Sequence, residues 1–111
     1  MGPTIFERII SREIPATIVY EDSDYIAIQD IAPLAPVHWL VIPKILSERL
    51  DHMNEAEMGK LIFRATEIAR SQLADYRLVI NVGPGGGQTV HHTHVHILGG
   101  WTGDIGHDAM V

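Results

Sequence analysis

The sequence predicts an α+β fold, in which a five-stranded antiparallel sheet carries one long helix on one face and a short N-terminal helix precedes the strands. Short runs rich in β-branched and aromatic residues recur along the chain, each bounded by Gly, Pro, Asn or Asp. One stretch instead repeats its apolar residues with a period of about 3.6 residues, which is typical of a helix. The length of 111 residues, of which 46% are hydrophobic and 20% charged, fits a single domain over residues 1–111.

The first half of the chain is predicted to contain the short helix and three strands. Thr4 and Glu7 form the pattern of a capping box, so the short helix is expected to begin there. Two β-rich runs, 17–21 and 25–29, predict a hairpin, and the run 38–42 predicts the next strand.

The second half is predicted to contain the long helix and the last two strands. Asn54 and Glu57 supply an N-cap and its partner three residues later. The strands are expected at 77–81 and 90–98, with a glycine-rich loop between them and an irregular tail from about residue 101. The apolar face of the helix is predicted to comprise Met58, Leu61, Ile62, Ala65, Ile68, Ala69 and Leu73.

Composition excludes several classes of protein. With 8 Lys and Arg against 14 Asp and Glu, the net charge is −6, which disfavours binding to nucleic acid or to anionic membranes. No run of about 18 apolar residues predicts a membrane span. The absence of cysteine excludes disulfides, zinc ribbons and thiol nucleophiles. A cytoplasmic location is therefore expected.

Histidine is the unusual feature, because four of the seven lie between His91 and His96. On the predicted last strand, alternate side chains share a face. Three imidazoles, from His92, His94 and His96, would then lie on one side, while Val95 and Ile97 would face the helix. The histidine face would be left to water or to a ligand.

Two kinds of chemistry suit this row of imidazoles. A metal site is the first: same-face neighbours lie about 6.6 Å apart, so two adjacent histidines could chelate one ion, but a third ligand would have to come from elsewhere. Phosphoryl chemistry is the second, because neutral imidazole is a good nucleophile and is largely unprotonated at neutral pH. The loop 83–87 adds glycine backbone N–H groups that can approach a phosphate closely.

The segment from His92 to Leu98 reads His-Thr-His-Val-His-Ile-Leu and resembles the histidine-triad motif, in which histidines alternate with apolar residues. Gly99-Gly100 after it, and 86–89 before it, resemble the Hint branch of the histidine-triad (HIT) superfamily, whose members are nucleoside phosphoramidases. Further matching segments occur in order along the chain, at 5–10, 13–15, 30–33, 35–44 and Asn81. The resemblance spans about residues 5 to 100 and implies a HIT-like fold.

The resemblance also implies a mechanism. His94 matches the nucleophile, which would attack the α-phosphorus of a purine nucleoside 5′-phosphoramidate and form a nucleotidyl-histidine. Water would then release the nucleoside monophosphate. His92 and His96 would orient His94 and hold phosphate oxygens, and His38 would support the triad from a neighbouring strand. Thr89 matches a serine position whose hydroxyl assists proton delivery to the leaving amine.

The nucleotide pocket and assembly follow from the same resemblance. Asp30 would bind the ribose hydroxyls. No cofactor or metal is implied, and a homodimer is implied, with the long helix and a sheet edge at its interface. The phosphate and leaving-group side would be formed by Asn81, Gly87, Gln88, Thr89, His94 and His96, and the apolar slot for the base by Ile5, Phe6, Ile9, Ile28 and Ile31.

The sequence departs from the family pattern at Thr93, where the motif prefers an apolar residue, and in the tail from Trp101. Taken without the family, Asp30 is better explained as a strand-end cap that faces solvent, and His38 as a core histidine. Two other functions within reach of the same residues are a dinucleotide polyphosphate hydrolase and a nucleotide-binding scaffold with little turnover. A metal-binding protein is the remaining alternative.

Overall fold

The computed structural model describes residues 2–103 and 105 and confirms the α+β class. Its antiparallel sheet has the strand order β1-β2-β3-β5-β4. Two short 3-10 turns, at Leu50–His52 and Pro84–Gly86, were not predicted. The helices and strands are α1 (Ile5–Ile10), β1 (Ile18–Glu21), β2 (Tyr25–Gln29), β3 (Val37–Pro43), α2 (Glu55–Arg70), β4 (Tyr76–Val79) and β5 (Val95–Gly99).

The long helix α2 covers one face of the sheet. Its capping box is formed as predicted, because the Asn54 side chain accepts from the Glu57 amide and the Glu57 side chain accepts from the Asn54 amide, each at 2.8 Å. The buried face is narrower than predicted, since Ile62 is exposed. Leu73 lies beyond the end of the helix but still packs against this core, as predicted. The core on this side is built from Tyr25, Ala27, Trp39, Val41, Leu61, Ala65, Ile68, Ala69, Val95 and Ile97.

The short helix α1 covers part of the opposite face. Phe6 and Ile9 are its buried residues, and they pack against Ile26, Ile28, Leu40 and Ile42 of β2 and β3. In the register of β3 with β5, Leu40 lies opposite His96. Residues opposite each other in a sheet share a face. His96 therefore lies on the same face of the sheet as α1.

The last strand begins five residues later than predicted. Residues 90–94 are irregular and β5 starts at Val95. Before Val95 the chain leaves β3, because the Thr93 amide donates to the carbonyl of Ser47 at 2.7 Å instead of to the sheet. Strand alternation therefore explains which face of the sheet His96 lies on, but it does not explain the orientation of His92 and His94. The fourth strand is also shifted, from the predicted 77–81 to Tyr76–Val79.

Within the described part of the chain, none of the helices has the length and hydropathy needed to cross a lipid bilayer.

Candidate active site

His94 is held in one tautomer by the main chain. Its Nδ1 lies 2.7 Å from the carbonyl oxygen of His92. Because a carbonyl can only accept, Nδ1 carries the proton and Nε2 keeps a lone pair. No described residue hydrogen bonds to Nε2, and this atom is not among the buried unpartnered atoms, so it retains contact with solvent. A neutral imidazole with a free, accessible Nε2 is ready to act as a nucleophile.

The His92 ring is fully buried between α1 and β3. Its Nε2 lies 2.8 Å from the carbonyl of Pro43, and its Nδ1 lies 2.9 Å from the Thr4 hydroxyl. The ring of Phe6 meets His94 edge-on at 4.9 Å between centroids and His92 at 5.8 Å. The first two histidines are therefore packed directly against the N-terminal helix.

His38 and His96 form a pair across β3 and β5. His38 Nδ1 accepts from the Leu34 amide at 3.0 Å, so its proton is on Nε2. That Nε2 lies 2.9 Å from Nδ1 of His96 and 3.4 Å from a carboxylate oxygen of Asp30. His96 must therefore accept at Nδ1, and its Nε2–H is left as a donor. Such a donor suits a phosphate oxygen.

All three triad histidines are biased toward the neutral form. Burial lowers the pKa of His92, although the hydrogen bond to the Pro43 carbonyl opposes it. Burial also lowers the pKa of His94. For His96, burial together with the neighbouring rings of His94 and His38 lowers the pKa to about 4. The lowered pKa favours the unprotonated form of His94 at neutral pH, which is the form a nucleophilic imidazole requires.

The glycine-rich loop is held by hydrogen bonds with the side chains of Asn81 before it and Gln88 after it. Asn81 Nδ2 donates to the Gly86 carbonyl at 2.9 Å. Gly87 has a φ of 91°, a left-handed conformation in which a Cβ would lie 3.2 Å from that Nδ2. The buried Gln88 accepts from the Gly83 amide at 2.9 Å and donates to the Glu48 and Val90 carbonyls. Both amide side chains therefore shape the loop, and Thr89 is exposed beside it.

The predicted slot for the base is only partly preformed. Phe6, Ile9 and Ile28 are buried together. Ile5 is 46% exposed and Ile31 is 97% exposed. Ile31 follows β2 in the loop that carries Asp30, whose carboxylate also accepts from the Ala32 amide at 2.8 Å. The side chain of Ile31 is therefore free to close on a ligand, and it contributes nothing to the core.

A cavity of about 250 Å³ opens beside the His38–His96 pair, on the same side of the sheet. Its lining combines apolar side chains with groups that can hydrogen bond, namely Leu34, His38, Arg77, Val79, Asn81, His96 and Leu98. This mixture is typical of small-molecule sites.

One group of side chains has the donor set for a metal ion. A carboxylate oxygen of Asp30 and one ring nitrogen each from His38 and His96 lie within 4.8 Å of one another. In the present arrangement, however, the two rings share a proton through their hydrogen bond. An ion would need both lone pairs, so it would have to displace that proton.

Several residues of the site carry no local signal in the sequence. Thr4 is recognisable as a helix cap, but its contact with His92 spans 88 positions. The Ser47 carbonyl accepts hydrogen bonds from both the amide and the hydroxyl of Thr93, the latter at 2.9 Å. Thr93, which departs from the family pattern, is thus a buried anchor of the triad segment.

Comparison with known proteins adds the following. Residues 11–103 match the HIT domain family. An uncharacterised HIT-like protein of Synechococcus elongatus is 51% identical over 104 residues, covering 87% of this chain and 90% of the relative. The adenylylsulfatase HINT1 of Arabidopsis thaliana is 46% identical over 107 residues, covering 89% and 72%. The crystal structure of a HIT family hydrolase from Legionella pneumophila superposes with a TM-score of 0.83 at 38% identity, covering 94% of this chain and 98% of that one.

Proposed function

Because the chain belongs to the HIT family and to its Hint-like branch, we propose that it hydrolyses the P–N bond of purine nucleoside 5′-phosphoramidates and releases the nucleoside monophosphate. Membership of the family supports a nucleotide-binding hydrolase in general. The observation that carries the narrower proposal is the state of His94, with its proton fixed on Nδ1 by the His92 carbonyl and Nε2 free.

In the proposed first step, the Nε2 lone pair of His94 attacks the α-phosphorus and the P–N bond breaks. The leaving nitrogen takes the proton of the Thr89 hydroxyl, which is exposed and regains a proton from solvent water, and departs as an amine. The Nε2–H of His96 donates to a phosphate oxygen as charge develops there. In the second step, water attacks the nucleotidyl-histidine, a P–O bond forms as the P–Nε2 bond breaks, and the water's proton passes to solvent. The monophosphate leaves and His94 regains its Nε2 lone pair. Neither step needs a cofactor or metal.

The remaining pocket residues divide between base, ribose and phosphate. Phe6, Ile9 and Ile28 offer an apolar wall for a purine, with Ile5 and Ile31 closing over it. Asp30 binds the ribose hydroxyls. The loop bounded by Asn81 and Gln88, including Gly87, surrounds the phosphate and the leaving group.

Two alternatives use the same nucleophile differently. A dinucleotide polyphosphate hydrolase would need a second nucleoside to leave as a phosphate ester instead of an amine. A scaffold would bind the nucleotide and turn it over slowly. The neutral, accessible His94 favours turnover over simple binding.

We further propose a homodimer. Strand β4 pairs with β5 and lies at an edge of the sheet, and an open edge is a liability in a monomer. Phe63 on α2 is 61% exposed, with Ile62 beside it. A second copy would cover both features, and gel filtration should give about twice the 12.3 kDa of one chain. A cytoplasmic location stays a prediction from the sequence.

Turnover of adenosine 5′-phosphoramidate in the presence of a chelator tests the proposal. The wild type should release AMP, and His94→Ala should lose about three or more orders of magnitude in kcat while still binding AMP. His91→Ala is the matched control, because His91 is exposed next to the triad and should keep full activity.

A wild type that binds AMP but releases none from the phosphoramidate would contradict the proposal. Diadenosine polyphosphate would then be tested in the same assay, since hydrolysis there would favour the dinucleotide alternative. Loss of activity on chelation would contradict the metal-free mechanism.

A further inference from the structure

The Thr4 hydroxyl is shared between helix α1 and the triad. As N-cap, its Oγ1 accepts from the Glu7 amide at 3.0 Å. The same oxygen lies 2.9 Å from Nδ1 of His92. A hydroxyl has one proton and two lone pairs, so it can serve both partners if it donates to one of them.

The direction of the second bond is fixed by the other side of the ring. His92 Nε2 lies 2.8 Å from the Pro43 carbonyl, which only accepts, so the ring proton is on Nε2. Nδ1 then holds a lone pair, and Thr4 donates to it. The ring is buried completely, so this nitrogen has no water to replace the hydroxyl.

His92 in turn sets the orientation of His94, because its carbonyl accepts from Nδ1 of His94 at 2.7 Å. A hydrogen-bonded series thus runs from the Glu7 amide through Thr4 and His92 to His94. The segment between the two histidines is irregular. The peptide group that carries this carbonyl is held on its other side by the Thr93 amide, which donates to the Ser47 carbonyl at 2.7 Å, so the Ser47 anchor and the His92 ring position it together.

We propose that Thr4 is a positioning residue for the nucleophile: its hydroxyl fixes the His92 ring between α1 and β3, and His92 fixes His94. This inference rests on the proposed function for its kinetic part only. It assigns to the N-terminal helix a role in orientation as well as in lining the pocket.

The hydroxyl has a second consequence for His92. A donor on Nδ1 favours the neutral ring. Three other groups affect the pKa of His92. The Glu7 carboxylate on α1 and the Pro43 carbonyl on β3 favour the protonated ring, and the neighbouring His94 ring favours the neutral ring. Removing the hydroxyl should therefore raise the pH at which His92 protonates.

The test combines ¹⁵N NMR of the histidine rings with kinetics of AMP release. In Thr4→Ala, His92 should titrate about one pH unit higher than in the wild type, since one hydrogen bond to the neutral form is lost. The kcat should fall about tenfold with little change in KM, because the lost contact orients the nucleophile and does not bind substrate. Thr4→Ser should restore both values to within about twofold.

Two further variants separate this role from helix capping. Glu7→Ala weakens the same cap but removes a carboxylate, so it should lower the titration of His92 and not raise it. Thr4→Gly keeps nearly all of the N-cap stability and removes the donor without adding a charge, so it should fold well and still raise the titration.

The proposal is overturned if His92 titrates alike in Thr4→Ala and the wild type, if Thr4→Ser fails to rescue, or if Glu7→Ala copies the effects of Thr4→Ala. A wild type without phosphoramidase activity would refute the proposed function, while the NMR titration would still decide the role of Thr4.

Discussion

His38 donates a hydrogen bond from Nε2 to Nδ1 of His96, across the pairing of β3 with β5, at 2.9 Å. The direction follows from the Leu34 amide, which donates to the other nitrogen of His38. Two rings far apart in sequence are thereby set in complementary tautomers. The pair leaves His96 with a proton on Nε2.

Replacing His38 with phenylalanine should therefore impair turnover more than binding. The aromatic ring would keep the packing, but His96 would lose the donor that fixes its tautomer. We expect kcat to fall about 10- to 100-fold, while AMP affinity, measured by isothermal titration calorimetry, changes little. His91→Phe is the control at an exposed histidine. Equal losses in kcat and in AMP affinity would show that His38 acts by shaping the pocket.

The buried histidines predict loss of stability in mild acid. The pKa of His96 is lowered to about 4 from 6.5, so between these pH values the unfolded chain binds more protons than the folded one. Stability should fall as the pH drops from 6.5 toward 4, by roughly 3 kcal/mol from His96 alone. Urea unfolding at several pH values measures this, and His96→Asn should flatten the dependence. A wild type equally stable at both ends would contradict the lowered pKa.

The two isoleucines predicted to contact the base should behave differently. Ile28 is 4% exposed, so Ile28→Ala should cost about 2–5 kcal/mol of unfolding free energy. Ile31 is almost fully exposed, so Ile31→Ala should leave stability within about 0.5 kcal/mol of the wild type. If Ile31 closes on the base, the same variant should weaken AMP binding several-fold by calorimetry. Unchanged affinity would remove Ile31 from the pocket.

Thr93→Val tests the anchor that replaces strand pairing before Val95. Valine is apolar, as the family motif prefers, but it removes the hydroxyl that donates to the Ser47 carbonyl. We expect a loss of about 1 kcal/mol in thermal or urea unfolding and a lower kcat, since the segment holding His94 loosens. Thr102→Val, at an exposed threonine, is the control. A gain in stability would mean that the hydroxyl is dispensable.

The parts of the fold that could be predicted are those with local signals. The capping boxes at Thr4 and Asn54 and the apolar period of α2 placed both helices. The start of β5 could not be predicted, because Val90 to His94 have the composition of a strand, while their hydrogen bonds go to Ser47 and Pro43. Contacts with a loop that is distant in sequence do not change the hydrophobic pattern of the segment itself, so the pattern cannot predict them.

The same limit applies to the site. The histidine motif identified the triad, but the tautomers depend on Leu34, Pro43 and the His92 carbonyl, which are main-chain groups. Any residue type supplies such groups, so the sequence does not mark them. The exposure of Ile31 likewise depends on how its loop leaves β2, and the apolar side chain alone predicted only that it could line a slot.

The strand order has a consequence for synthesis of the chain. Because β5 inserts between β3 and β4, a nascent chain that has emerged only through β4 cannot close its sheet. His38 then lacks its hydrogen-bond partner, because the His96 ring lies 58 positions further along the chain. Pairing of such distant segments is the slow part of folding. The pairing of β5 therefore completes the sheet and the His38–His96 pair of the candidate site in one step, and an incomplete chain has neither.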